Sequence, residues 1–279
     1  MIIRNATRDE FKVAVDWAAA EGWNPGLDDL DAFFAADPNG FLMGFEGDDP
    51  ISSISVVRYG EDYGFLGFYI VRGDKRGTGA GMVIWEKGLD YLKGRTVGLD
   101  GVVAQQENYR KSGFVYADGN SRYSGRPDVS SVETSALSQV TATDIAELAK
   151  WERRFFPADR TAFLSRWLAP DVATRHSLLV RENGAILGYG TIRQCRSGYK
   201  IGPLFAEKSE TADILFCALA KRAEGDEVIL DVPNANTEAV ALAKRYQLAP
   251  SFETARMYLG SAPDTDIKKT FGVTTFELG

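Results

Sequence analysis

The chain has 279 residues, 44% of them apolar and 25% charged, with a formal net charge of −7. That length suits one large domain or two of ordinary size, and the composition is globular rather than disordered. The acidic balance without a Lys/Arg-rich stripe argues against nucleic-acid binding, no apolar run can span a bilayer, and residues 1–5 lack a signal peptide's apolar region. Cys195 and Cys217 are far apart and form neither a disulfide framework nor a zinc pattern, so a cytoplasmic protein without a metal is expected. An acidic field also suits a cationic amine, although mild acidity serves solubility alone in many proteins.

Ile2-Ile3-Arg4 reads as a short strand, and Thr7 with Glu10 three positions on reads as a capping box opening a helix. The turn residues of Glu21-Gly22-Trp23-Asn24-Pro25-Gly26 end that helix, and a second one carries Leu30, Phe33 and Phe34. Three strands follow at 41–45, 51–58 and 64–71. Residues 51–58 alternate apolar and small polar side chains, the pattern of a half-buried strand, whereas 64–71 is almost wholly apolar and reads as central. After Arg76-Gly77-Thr78-Gly79-Ala80-Gly81 come a helix to about Leu92, a strand at 97–103, a short helix at 105–112 and a return to strand at Gly113-Phe114-Val115-Tyr116.

Past Asp128 the pattern restarts. A helix is expected over 143–155, strands at 177–180 and 186–192 joined by the hairpin signal Asn183-Gly184, a strand at 199–205, a helix at 210–222 and a strand at 228–232. Gly98-Leu99-Asp100-Gly101 is echoed by Ile229-Leu230-Asp231-Val232. A repeat of roughly 130 residues is too long for a solenoid unit and means two copies of one domain, placed at 1–128 and 129–279.

The glycine segment is the feature with chemical content. A strand feeding a glycine-rich turn that opens a helix is an anion site, because unpaired N–H groups and the helix dipole converge there. Lys75 and Arg76 add positive charge. The dinucleotide fingerprint fails, since Met82 or Ile84 stands where its third glycine belongs, and no Gly-Lys-Ser or Gly-Lys-Thr completes a P-loop. The spacing (Arg/Gln)-x-x-Gly-x-(Gly/Ala) is met by Arg76, Gly79 and Gly81, and here the chain resembles the GNAT superfamily of N-acetyltransferases. The order of elements in the first half agrees. Glu21-Gly22-Trp23-Asn24-Pro25-Gly26, Ile201-Gly202-Pro203-Leu204 and Phe276-Glu277-Leu278-Gly279 resemble a bacterial subgroup with two such domains in tandem.

The resemblance implies an α+β fold, a mixed and mostly antiparallel sheet flanked by helices, with acetyl-CoA as co-substrate. It implies that the backbone of Arg76, Gly77, Thr78, Gly79, Ala80 and Gly81 holds the pyrophosphate, and that the edge formed by Phe68, Tyr69, Ile70 and Val71 pairs with the pantetheine. Tyr109, four residues before Gly113-Phe114, matches the family's proton donor to the departing thiolate. Asn108 beside it is a second candidate for the cofactor. From the residues alone, Tyr109 packing its helix against the sheet is the competing and weaker reading.

A general base is harder to find. Glu61, Asp62 and Asp100 are candidates, Asp100 because a carboxylate in an apolar strand is expected to be perturbed. Its echo Asp231 argues for a shared structural role instead. Trp23, Asn24 and Asp28, in and after the loop between the first two helices, are candidate contacts for an amine, with helix capping by Asp28 and Asp29 the competing reading. His176, the only histidine, reads as a strand-end residue. In the second half Phe205-Ala206-Glu207-Lys208-Ser209-Glu210 replaces the glycine loop, so that half is expected not to hold CoA. Arg256, Met257 and Tyr258, with Asp231, Val232, Pro233 and Asn234, are expected to shape the acceptor pocket. Two functions follow: an N-acetyltransferase acting on a small-molecule amine as monomer or homodimer, or an acyl-CoA-binding module that senses without turnover.

Overall fold

The computed structural model describes residues 1–129 and 137–279. The serine-rich stretch expected between the halves begins at 130, outside the described residues. The first half runs β1 (Ile2–Asn5), α1 (Arg8–Ala20), α2 (Asp29–Ala36), β2 (Phe41–Glu46), β3 (Asp49–Tyr59), β4 (Tyr63–Val71), α3 (Ala80–Tyr91), β5 (Thr96–Val102), α4 (Gln106–Lys111) and β6 (Val115–Gly125). Thr7 caps α1 in the reciprocal box expected, its hydroxyl accepting from the Glu10 amide while the Glu10 carboxylate accepts from the Thr7 amide.

The second half runs β7 (Leu137–Gln139), α5 (Ile145–Trp151), α6 (Thr161–Trp167), β8 (Arg175–Glu182), β9 (Ala185–Gln194), β10 (Tyr199–Ala206), α7 (Ser209–Ala220), β11 (Val228–Pro233), α8 (Thr237–Arg245), β12 (Ala249–Leu259) and β13 (Thr270–Gly272). Asn183 and Gly184, both at positive φ, turn the β8–β9 hairpin. Among the described residues no helix is long and apolar enough to cross a membrane.

The described strands form one sheet in the order β1-β2-β3-β4-β5-β12-β6-β11-β10-β9-β8-β7, with β13 on β10. Pairing is antiparallel except for β4 with β5 and β10 with β11, so this is an α+β fold of two like halves. The join between them is an exchange. β6, from the first half, pairs with β11 of the second, and β12, from the second half, pairs with β5 of the first. β6 and β12 lie side by side at the centre. Neither half completes its sheet from its own residues.

A shared core reinforces the exchange. Phe11 packs edge-on to Phe68 at 5.3 Å, and Phe33 of α2 stacks on Trp167 of α6 at 6.3 Å. Rings this deeply buried each contribute about 1.5–3 kcal/mol of transfer free energy. β3, expected to be half-buried, is buried on both faces from Ile51 to Val57. The Ser53 hydroxyl donates to the Phe68 carbonyl and that of Ser55 to the Glu277 carbonyl, so its alternation reports polarity without reporting solvent.

Buried ion pairs also cross between the halves. Asp29 of α2 meets Arg175 at 3.0 Å and Arg193 at 3.1 Å, and Arg122 of β6 makes a two-point contact with Asp231 of β11 at 2.6 and 2.8 Å. Burial alone would raise both carboxyls, but the guanidinium groups, Arg193 and Arg175 on Asp29 and Arg122 on Asp231, outweigh it and hold both below the ordinary range. A carboxyl lowered in the folded state stabilises the fold above its unfolded value, about 3.9, and loses that contribution as pH falls through the lower folded value. The urea midpoint, followed by tryptophan fluorescence, is therefore expected to hold steady down to about pH 4 and to drop below it.

Candidate active site

β4 and β5 pair in parallel only from Tyr63↔Thr96 to Leu66↔Leu99. Beyond Leu66 they part, because β4 carries a bulge opposite Ser53–Ser55 of β3 and Phe68 takes a φ of +45°. The parting opens a cleft of about 610 Å³ along residues 66–71 of β4, the glycine loop, residues 99–102 of β5 and α4.

The Phe68 ring is buried against Phe11 and Phe33, so only its backbone serves the cleft. Tyr69, Ile70 and Val71 line it. At its mouth, Gly79 caps α3 in the left-handed region (φ +90°), with no side chain occupying the first amides of the helix. Gly77 has φ +78°, and a Cβ at either position would meet open space, so these glycines are required by conformation. Gly81 is required by packing: a Cβ there would lie 2.7 Å from the Tyr69 hydroxyl. Lys75 and Arg76 line the mouth and pair with Glu46 and Glu21. Thr78 turns its hydroxyl to the Lys75 carbonyl at 2.7 Å, and Ala80 is buried.

Tyr109 lines the β5 side of the cleft, stacked on Trp85 at 5.5 Å. Its ring presses on Gly101 so closely that a Cβ there would lie 2.2 Å away. Among the described residues its hydroxyl has no hydrogen-bond partner. Burial, with a smaller contribution from Tyr69, pushes the phenol well above its ordinary value. Asn108 also lines the cleft and donates to the Gln105 side chain at 2.7 Å.

Several expected roles are corrected. Asp100 borders the cleft, but its oxygens are occupied: Oδ1 accepts from Asn120 (2.7 Å) and Arg256 Nε (2.8 Å), and Oδ2 from Arg256 Nη2 (2.6 Å). It is an ion-pair partner on the exchanged strands, as Asp231 is for Arg122, and not a free base. Glu61 and Asp62 are exposed in the β3–β4 turn and do not line the cleft. Of the three amine candidates only Trp23 lines it. Asn24 exchanges hydrogen bonds with the Ser197 backbone, and Asp28 neither contacts the cleft nor caps α2 but accepts from Thr174. Those two join the halves. Arg256 and Tyr258 border a separate cavity of about 300 Å³, and residues 231–234 do not line the main cleft.

The far wall comes from positions the sequence did not single out for the site: Arg122, Phe252, Thr254, Phe276 and Glu277. Phe252 and Phe276 lie 6.5 Å apart, with Arg122 over both rings. Thr254 is 3% exposed and its hydroxyl has no partner among the described residues.

The second half provides an internal comparison. β10 and β11 likewise pair in parallel only at one end, from Tyr199↔Val228 to Ile201↔Leu230. Where they part, β13 lies against β10, with Leu204↔Gly272 and Phe205↔Thr270. The notch that is open in the first half is filled there by the chain's own strand. Glu207, at the position of the glycine loop, holds Arg154 and Lys269.

A parallel pair that parts, built twice in tandem and once with a glycine turn at its mouth, defines the class: the chain belongs to the GNAT acetyltransferase family. The Acetyltransferase (GNAT) family profile matches residues 3–114, and an Acetyltransferase (GNAT) domain profile matches 148–272. The chain is 33% identical over 275 residues to holothin acyltransferase of Pseudoalteromonas sp. (strain SANK 73390), covering 98% of this chain and 93% of that one, and it is an acyltransferase. Its fold is similar to that of a putative acetyltransferase from Pyrococcus horikoshii (TM-score 0.83, 22% identity, 100% and 95% of the two chains). It is also similar to a tandem GNAT protein from the clavulanic acid biosynthesis pathway (TM-score 0.63, 12% identity, 94% and 99% of the chains).

Proposed function

We propose that the protein transfers an acetyl group from acetyl-CoA to the primary amine of a small molecule, in one active site per chain formed at the first half's cleft. The observation that carries this reading is the contrast between two equivalent notches. The backbone edge of β10 is satisfied by β13, whereas residues 68–71 of β4 offer an edge of the same kind to a ligand. The amides at Gly77–Gly81 suit a pyrophosphate, and the edge beyond Gly67 suits the amides of an extended pantetheine arm. Acyl-CoA held this way supplies an activated acyl group on a thioester at the base of the cleft.

Tyr109 is the group for the departing sulfur. Its raised phenol stays protonated throughout the working range, so it donates a hydrogen bond to the thiolate rather than giving up its proton outright. Phe252 and Phe276 with Trp23 offer flat apolar surface, which favours an amine carried on a compact, planar body. The relative's substrate, holothin, is the first acceptor to try.

Thiol release from acetyl-CoA over holothin, polyamines, amino acids and aminosugars tests the reading. Turnover of one class is expected, with Tyr109→Phe lowering kcat about 10- to 100-fold, the value of a hydrogen bond to a charged group. The same variant is expected to bind acetyl-CoA as wild type does. Binding without turnover of any amine by either protein would leave only a sensing module.

A further inference from the structure

The cleft has a hydrogen-bond donor for sulfur but, with Asp100 committed to Arg256, no base in any position expected from the sequence. The last ten residues of the sequence fill that gap. Residues 270–279 are all buried. They are pinned along their length: Asn236 donates to the Thr270 carbonyl at 2.9 Å, Arg160 to the Thr274 hydroxyl at 2.8 Å and the Gly279 carbonyl at 3.1 Å, and Tyr59 to the Leu278 carbonyl at 3.1 Å. Glu277 lies in this segment and lines the cleft. Its backbone packs on Gly67 so tightly that a Cβ there would lie 2.1 Å from the Glu277 carbonyl oxygen. Gly67 is the first residue past Leu66, the last β4 residue paired with β5. Tyr109 stands against Gly101 on the β5 side of the same fork. The fork thus carries the Tyr109 phenol against Gly101 on one side and the backbone of Glu277 against Gly67 on the other.

The Glu277 side chain is uncommitted. The residue is 4% exposed, yet among the described residues its carboxylate makes no hydrogen bond or ion pair, and neither oxygen is sealed away from the cleft. The cations that feel its charge are engaged elsewhere: Arg122 with Asp231, Arg193 with Asp29, and Lys200 with the Trp23 carbonyl at 3.2 Å. Asp100 is held by Arg256, and the Tyr59 hydroxyl by Leu278. A carboxylate removed from water is costly unless something compensates it, and here it has the through-space charge of Arg122, Arg193 and Lys200 but no direct partner among the described residues. A protonated or N–H-bearing ligand in the cleft would supply one.

We propose that Glu277 is the proton acceptor of acyl transfer, brought to the first half's cleft by the second half of the chain. This rests on the transferase reading above. Glu277 takes the proton that leaves the amine nitrogen as that nitrogen's lone pair forms the C–N bond. The electron pair of the broken C–S bond goes to sulfur, where Tyr109 donates its hydrogen bond. On product release Glu277 returns its proton to water and the thiolate takes one from water, so one proton passes from nitrogen to sulfur overall.

The test compares wild type with Glu277→Gln and Glu277→Asp, measuring acetyl-CoA affinity by calorimetry, melting temperature, and kcat with the best amine of the panel from about pH 6 to 9. The expected result is a fall in kcat of at least about 100-fold for Glu277→Gln, within the range of general-base catalysis, and an intermediate fall for Glu277→Asp. Affinity for acetyl-CoA and melting temperature should match wild type, and the deficit should narrow as pH rises and hydroxide takes over removal of the proton from the attacking nitrogen. A Glu277→Gln enzyme within threefold of wild type would overturn the proposal while leaving the transferase reading intact. So would a pH-independent deficit, or a parallel loss of acetyl-CoA affinity or folding, which would mark a structural residue. Wild type inactive on every amine would instead remove the transferase reading, and this proposal with it.

Discussion

Replacing Gly79 with aspartate is expected to abolish useful acetyl-CoA binding at a modest cost to the fold. Gly79 stands at the start of α3 with φ +90°, where any side chain is strained, although its Cβ would meet no neighbour and aspartate tolerates a positive φ better than most residues. A carboxylate beside the helix N-terminus offsets part of that strain. The same carboxylate would occupy the amides meant for a pyrophosphate and set like charges side by side, costing several kcal/mol. A rise in dissociation constant of at least about 100-fold, near 2.7 kcal/mol, is expected by calorimetry, with a melting temperature lowered by no more than a few degrees. The second half already carries carboxylates at this place in Glu207 and Glu210. An unchanged affinity would mean that the loop is not the anion site.

The largest effect on stability is expected at Arg122. Arg122→Leu leaves Asp231 buried, charged and without its two-point partner, for a loss of about 3–5 kcal/mol. In a chain of this size that lowers the melting temperature by on the order of 10 °C. Asp231→Leu should cost a similar amount, since it strands the guanidinium. The double variant, with no charge left behind, should lose clearly less than the two single losses added together. Additive losses in a thermal-melt cycle would show that the two side chains do not act as a pair. Arg122 also lies over the Phe252 and Phe276 rings, so weaker amine binding should accompany the single variant.

What the sequence disclosed was local. The glycine loop was legible because its spacing, its preceding strand and its following helix all lie within about twenty residues, the scale on which periodicity and turn chemistry operate. The capping box at Thr7 and Glu10 and the Asn183-Gly184 hairpin were legible for the same reason. The exchange of β6 and β12 was not, because a strand's side-chain alternation does not record which strand lies beside it. Residues 115–125 were recognised as strand only at their start, and 249–259 and 270–272 were missed. Asp100 looked like a base because its partner, Arg256, lies 156 positions away. Asp28 and Asn24 looked like substrate contacts because their partners, Thr174 and Ser197, lie in the other half. Glu277 lay in the Phe276-Glu277-Leu278-Gly279 stretch that carried the subgroup resemblance, but nothing local marked it as a site residue. It matters only because the fold carries it to Gly67, some two hundred residues upstream.

The strand exchange also sets a timetable. β5 emerges from the ribosome long before its neighbour β12 exists, and the cleft wall is incomplete until residue 277 has been added. At ordinary rates of synthesis the first half waits roughly 10–30 s with an apolar strand edge unpaired. The loop that would receive the cofactor is made well before the wall that would receive the acceptor. Formation of the loop and completion of the cleft are therefore separate events in the life of each chain.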